Sequence, residues 1–243
     1  MATLFTDNIG PRKPTQDITL GTTGETITLP GNDLRVNTVK DKGGNTLWTS
    51  DGSGTLSSVN SALKGNLVLL NTTNATNQTS VSFTTQLTSA YDVYCFRFID
   101  ITPSNDNRDF MFNGSIDSGS NYNVTKTTTY FEAYHGVDGT STFLGYGGSY
   151  DLAQSTAYQI LARDAGSGAD ESIIGDLWLF TPSSTTYVKQ FYSTVQYHHY
   201  YQNNQSQNNF VAGYFNTTSA INAIDFKMDS NNFDGIIKLY GLS

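Results

Sequence analysis

Apolar residues recur at every second position near the end of the chain. In Ile224-Asp-Phe-Lys-Met-Asp229, Ile224, Phe226 and Met228 fall on one face and Asp225, Lys227 and Asp229 on the other. This is the period-2 signature of a half-buried strand. Ser230-Asn-Asn-Phe-Asp-Gly235 supplies residues that tolerate turn geometry, and Ile237, Leu239 and Leu242 open a second apolar face. The pattern predicts two strands stitched into a sheet. Similar pulses cover 67–70, 81–83, 93–101, 110–112, 130–134, 173–180, 187–200, 210–215, 224–228 and 236–240. Asn, Asp, Gly and Ser turns separate most of them. Two segments read differently. Residues 151–162 suggest a helical turn leading into a strand, and 198–209 a long polar loop.

Residues 1–64 have another texture. Ile18-Thr-Leu20, Ile27-Thr-Leu29, Leu34-Arg-Val36 and Leu47-Trp-Thr49 each give one strand's worth of alternation, punctuated by Gly21, Gly24, Gly31, Gly43 and Gly44. Such strands are too short and too polar to bury a core alone. They need a partner surface, from the rest of the chain or from further copies. The expected architecture is all-β: a short β-rich stalk or anchor segment over 1–64, then a jelly-roll-like antiparallel β-sandwich over 65–243.

Composition agrees. Of 243 residues, 37% are hydrophobic and only 14% charged, while 13% are aromatic, with 15 Tyr and 14 Phe. Aromatic and β-branched residues pack well on pleated faces. The net charge of −8, with no basic run, argues against a nucleic-acid partner, which needs a positive footprint. It also argues against a membrane-surface role, and no apolar run approaches spanning length. Met1-Ala-Thr-Leu-Phe-Thr-Asp7 has neither a basic nor an apolar leader region, so no secretory signal is expected. The single cysteine, Cys95, sits in an apolar run and reads as a small buried hydrophobe.

No catalytic signature stands out, and the chain is read as a non-enzyme that needs no cofactor. A glycosidase requires two carboxylates facing one cleft. Glu132 with Glu171, or Glu132 with Asp176, are conceivable pairs that the sequence cannot bring together. The loops Asn105-Asp-Asn-Arg-Asp109 and Asp170-Glu171 hold hard oxygens, but turn capping explains both, and no metal site is assigned. His198 and His199 are adjacent, so on a strand they would point to opposite faces; they are read as exposed loop or edge residues. The candidate ligand-binding residues are Tyr197, His198, Tyr200, Tyr201, Asn203 and Gln205. Flat rings can stack on the apolar face of a sugar, and side-chain amides can bond its hydroxyls.

The segment Leu34-Arg-Val-Asn-Thr-Val-Lys-Asp-Lys-Gly-Gly-Asn-Thr-Leu-Trp-Thr-Ser-Asp-Gly-Ser-Gly-Thr-Leu-Ser-Ser-Val-Asn60 resembles stretches of structural proteins of marine tailed bacteriophages. Phe233-Asp-Gly-Ile-Ile-Lys-Leu-Tyr-Gly241 resembles the closing strand of their β domains, and 183–189 and 210–218 match in texture. The resemblance implies a virion protein made in bacterial cytoplasm. It would be a fibre or knob that recognises a host-surface glycan or, alternatively, a capsid decoration protein. It further implies attachment to other virion proteins through the N-terminal segment, and assembly as a homotrimer.

Overall fold

The computed structural model describes residues 36–53, 56–57, 59–60, 67–200 and 205–242. The candidate strands at 18–20 and 27–29, and residues Tyr201 and Asn203, lie outside them. The chain divides into two units, 1–63 and 64–243.

In the first unit, β1 (Thr38–Lys40), β2 (Thr46–Ser50) and β3 (Leu56–Ser57) form a three-stranded antiparallel sheet. Asp41 closes the β1–β2 turn, accepting hydrogen bonds from the Asn45 backbone N–H (2.8 Å) and side-chain amide (3.0 Å). No described residue of this unit is buried.

The second unit is a jelly-roll-like antiparallel β-sandwich with no helix among its described residues. Its strands are β4 (Val68–Gln78), β5 (Ser80–Phe83), β6 (Val93–Pro103), β7 (Arg108–Ser115), β8 (Lys126–Gly136), β9 (Thr142–Tyr146), β10 (Gln159–Ala165), β11 (Ile173–Phe180), β12 (Lys189–His199), β13 (Gln205–Phe215), β14 (Ala223–Met228) and β15 (Phe233–Leu242). One sheet runs β4-β15-β6-β11-β12-β13-β8-β9, the other β5-β14-β7-β10. The two join where β12 meets β10 through a single pairing, Ala165 with His199. That contact nearly closes the sandwich into a barrel.

Alternation drives the packing. Phe96 and Phe98 of β6, Phe110 and Phe112 of β7, and Phe226 of β14 point into one aromatic core, all at most 1% exposed. Cys95 is also fully buried, and burial pushes its thiol up to about 12, which leaves it unreactive. The closing strands stand in the sheet as the pattern predicts, with β15 between β4 and β6. Between them the turn is tighter than the sequence suggests, because Phe233 is already a buried strand residue.

Two departures shape the upper end of the sandwich. Asp100 adopts a left-handed φ of 51° and bulges β6; the neighbouring strands answer with Gly175 (φ 149°) on β11 and Gly235 (φ 135°) on β15. A Cβ on Gly175 would strike the Thr194 carbonyl. Such bulges bend a strand and increase its twist. The second departure is that 198–209 is mostly strand: β12 runs through His199 and β13 starts at Gln205. Residues 151–158 contain no helix and include only a bridge at Ser155 to Lys126.

At the other end, Lys126 and Lys189 are fully buried on either side of Phe215. Lys126 Nζ donates to the Val124 and Ala157 carbonyls, and Lys189 Nζ to those of Tyr187 and Thr217. Desolvation pulls the Lys126 ammonium down to about 7. These lysines tie the loops down at the end remote from the β10–β12 join.

Candidate functional site

At the β10–β12 corner the regular alternation of β10 fails. Its pairing with β7 shifts twice, and Asp164 takes a left-handed φ of 49°. Consecutive strand residues normally face opposite ways. Here Arg163 and Asp164 turn to the same place, with Arg163 Nη1 donating to Asp164 Oδ2 at 2.7 Å. Backbone contacts fix this kink. Asp164 N–H donates to Asp109 Oδ1 (2.9 Å), Tyr200 N–H to the Asp164 carbonyl (2.8 Å), and Asn107 N–H to the Ala165 carbonyl (3.0 Å).

Arg163 is the hub of a polar network let into the sandwich. Its Nε donates to Glu132 Oε2 at 2.8 Å, and its guanidinium lies 5.0 Å from the centre of the Tyr150 ring. Glu132 also receives the Gln207 amide at 3.0 Å. Gln207 donates to Asn209, and Asn209 donates to the Leu161 carbonyl and to the hydroxyls of Tyr130 and Tyr197. Tyr197 Oη in turn accepts the Arg163 backbone N–H at 3.2 Å. His199 Nε2 lies 3.0 Å from Arg163 Nη1 and 3.3 Å from Asp164 Oδ2. A bare nitrogen accepts from the guanidinium; a protonated one donates to the carboxylate. The His199 ring, followed by Arg163, holds the Asp164 carboxyl below its usual range, whereas burial lifts that of Asp109.

Above this floor lies a cleft of about 390 Å³. Tyr134 and Tyr200 wall it, and Asn107 and Gln205 reach its rim. Tyr134 is backed by Phe143, stacked at 5.5 Å. Aromatic walls, two amides and a fixed guanidinium–carboxylate pair suit a polar, ring-shaped ligand.

The structure therefore divides the residues proposed from sequence. Tyr200 and Gln205 line the cleft. Tyr197 is 2% exposed and belongs to the network beneath it, because strand alternation turns it inward; it is a support and not a contact. His198 points to the opposite side of β12, where Nδ1 meets Glu171 Oε1 at 2.9 Å. His199, read as an exposed residue, is 3% exposed for the same reason.

The conceivable carboxylate pairs are not assembled. Glu132 joins Arg163, Glu171 joins His198 across the sheet, and Asp176 lies 3.9 Å from Arg97. The Asp106 carboxylate is taken up by the Ser167 backbone N–H and hydroxyl, and no group of three or more His, Cys, Asp or Glu among the described residues could hold a metal ion.

Sequence reasoning missed Arg163, Asp164 and Tyr134, and weighed Asn107 only as part of the hard-oxygen loop 105–109. The available signal was the charged pair inside Ile160-Leu-Ala-Arg-Asp-Ala165. In a chain only 14% charged, adjacent opposite charges in an apolar run are conspicuous.

Comparison with protein-family models, curated proteins and solved structures finds no match to this chain.

Proposed function

We propose that the chain is a structural and receptor-binding protein of a bacteriophage particle, whose β-sandwich recognises a host-surface glycan in the corner cleft. The observation that carries this reading is the placement of Tyr134 and Tyr200 beside the Arg163–Asp164–His199 floor. Rings can stack on the apolar face of a pyranose, while the floor and the rim amides bond its hydroxyls. The resemblance of 34–60 and 233–241 to phage virion proteins supports the setting. A reduced, buried Cys95 suits a protein made in bacterial cytoplasm. Neither a catalytic role nor a cofactor is part of the proposal.

The first unit is proposed to attach to other virion proteins and to assemble as a trimer. The support is its lack of any buried described residue, which calls for a partner surface. Light-scattering mass in solution is expected at three chains; a stable monomer with 36–60 folded would overturn this part.

Glycan arrays carrying bacterial envelope polysaccharides test the recognition. Binding is expected, and Tyr200→Ala is expected to weaken it about tenfold, the loss of one good aromatic contact. Absence of binding across host polysaccharides would sink the glycan reading.

The alternative is a capsid decoration protein, and one feature favours it. The outer face of the large sheet carries Trp178, Tyr192, Phe210, Phe131 and Tyr146, of which Tyr192, Phe210, Phe131 and Tyr146 are exposed. Exposed aromatic patches mark protein contacts. Electron microscopy of the particle separates the two, by density over the whole capsid or at a tail or vertex only.

A further inference from the structure

The balance of charge in the corner cleft is uneven. Arg163 is the one permanent cation among the residues that line it, and two carboxylates share it, Glu132 at 2.8 Å from beneath and Asp164 at 2.7 Å in the floor. The Glu132 side chain is 9% exposed and that of Asp164 35%, so Glu132 holds the guanidinium in the drier setting, where the attraction is stronger. One negative charge is therefore left over, on the side that solvent and a ligand reach. His199 offsets it only when protonated. Asp109 lies behind Asp164, accepting its backbone N–H, and brings a further carboxylate of the same sign. Among the described residues no lysine and no second arginine lines the cleft.

The Asp164 carboxylate also has room to bond. Its side-chain contacts with Arg163 and His199 both fall on Oδ2, and Oδ1 makes no hydrogen bond to a described residue. Each carboxylate oxygen can accept two bonds. Tyr200, 43% exposed, stands in the same cleft with Tyr134. Aromatic faces attract cations as well as sugar rings. At the rim, the side chains of Asn107 and Gln205 likewise make no hydrogen bond to a described residue.

Resting on the glycan reading of this cleft, we infer that its ligand is an amino sugar with an unacetylated, protonated amine. Asp164 Oδ1 receives the ammonium, while the tyrosine walls and the rim amides meet the ring and its hydroxyls. Acetylating the amine removes the charge and leaves the excess carboxylate unmatched. A uronic acid or a phosphorylated sugar sets a like charge against Asp164, which costs affinity. A bare ammonium matches Asp164 but leaves the rings and amides without a partner.

The test is NMR titration of the full chain at neutral pH with the methyl glycosides of glucosamine, N-acetylglucosamine, glucose and glucuronic acid, and with ethylammonium. The glucosamine glycoside is expected to bind about tenfold more tightly than the neutral ones, shifting the amide signals of Asp164, Tyr200 and Gln205, and the glucuronide to bind most weakly. Asp164→Asn is expected to erase this preference. Glu132→Gln, which leaves Arg163 to Asp164 alone, is expected to reduce it severalfold without altering any residue that lines the cleft, and its result is decisive if Asp164→Asn fails to fold. An unchanged preference in either variant would overturn the inference. Equal or tighter binding of a neutral glycoside or the glucuronide at the same signals would overturn it and leave the glycan reading standing. No shift of these signals with any saccharide would overturn both. Ethylammonium binding as tightly as the amino sugar would overturn it in favour of a plain cation pocket.

Discussion

Replacing Arg163 with methionine is expected to lower the unfolding free energy by about 3–5 kcal/mol, the usual cost of removing one partner of a buried ion pair. The Arg163 side chain is 15% exposed and that of Glu132 9%, so solvent screens the pair little. Methionine keeps much of the volume against Tyr150 but leaves Glu132 with the Gln207 amide as its remaining described donor. A carboxylate in that position is then under-compensated. The double variant Arg163→Met, Glu132→Gln should recover a large part of the loss, because the more buried of the two carboxylates on Arg163 no longer carries a charge and Asp164 keeps its contact with His199. Urea denaturation of the parent, Arg163→Met, Glu132→Gln and the double variant gives the coupling directly. A loss below about 1 kcal/mol in the single variant would mean that water reaches Glu132 and that the network is a surface feature. The same substitution should abolish ligand binding in the corner cleft, since Arg163 orders Asp164 and His199.

Phe226→Ala should cost a similar amount, about 3–5 kcal/mol, by a different mechanism. Phe226 is fully buried and its ring meets five others. Phe96 and Phe98 come from the large sheet, and Phe83, Phe110 and Phe112 from the small one. Truncation opens a cavity between the two sheets, where neither backbone can move in to fill it. Edge-to-face contacts, such as those at 5.2 Å with Phe96 and Phe98, are lost as well. Phe131→Ala is the control. Phe131 is 43% exposed on the outer face of the large sheet and should cost under about 1 kcal/mol. Comparable losses for the two variants would refute the placement of the core.

How much was legible depends on what kind of signal each element carries. β6, β11, β14 and β15 announce themselves by apolar alternation, because burial of one or both faces is written into side-chain type. β4 does not. Its second half, Asn71 to Gln78, is rich in Asn and Thr and becomes a strand because β15 pairs with it. The same holds for β13, whose first residues look like a solvated loop. Gln207 and Asn209 are fully buried there, their amide N–H groups donating to Glu132, Tyr130, Leu161 and Tyr197, while Gln207 Oε1 makes no hydrogen bond among the described residues. A polar side chain is tolerated inside once its hydrogen bonds are met, and those partners come from strands far off in sequence.

The candidate site follows the same division. Of the cluster from Tyr197 to Gln205, singled out for a composition that suits ligand contact, Tyr200 and Gln205 line the corner cleft. The composition did not separate contact from support. Tyr197 faces in and His198 faces out only because β12 continues through them. Arg163 and Asp164 meet only because β10 is kinked at a residue with positive φ.

The sequence by itself determined an all-β chain, a core built from alternating aromatics and a weakly apolar first unit. Each of these follows from local periodicity and hydrophobicity, which a short window of residues expresses in full. The tertiary structure alone decided the order of strands, the burial of Glu132 and Asn209, and the corner cleft that results. Those depend on which distant strands become neighbours, and a buried polar group is stable or not according to what those neighbours offer it.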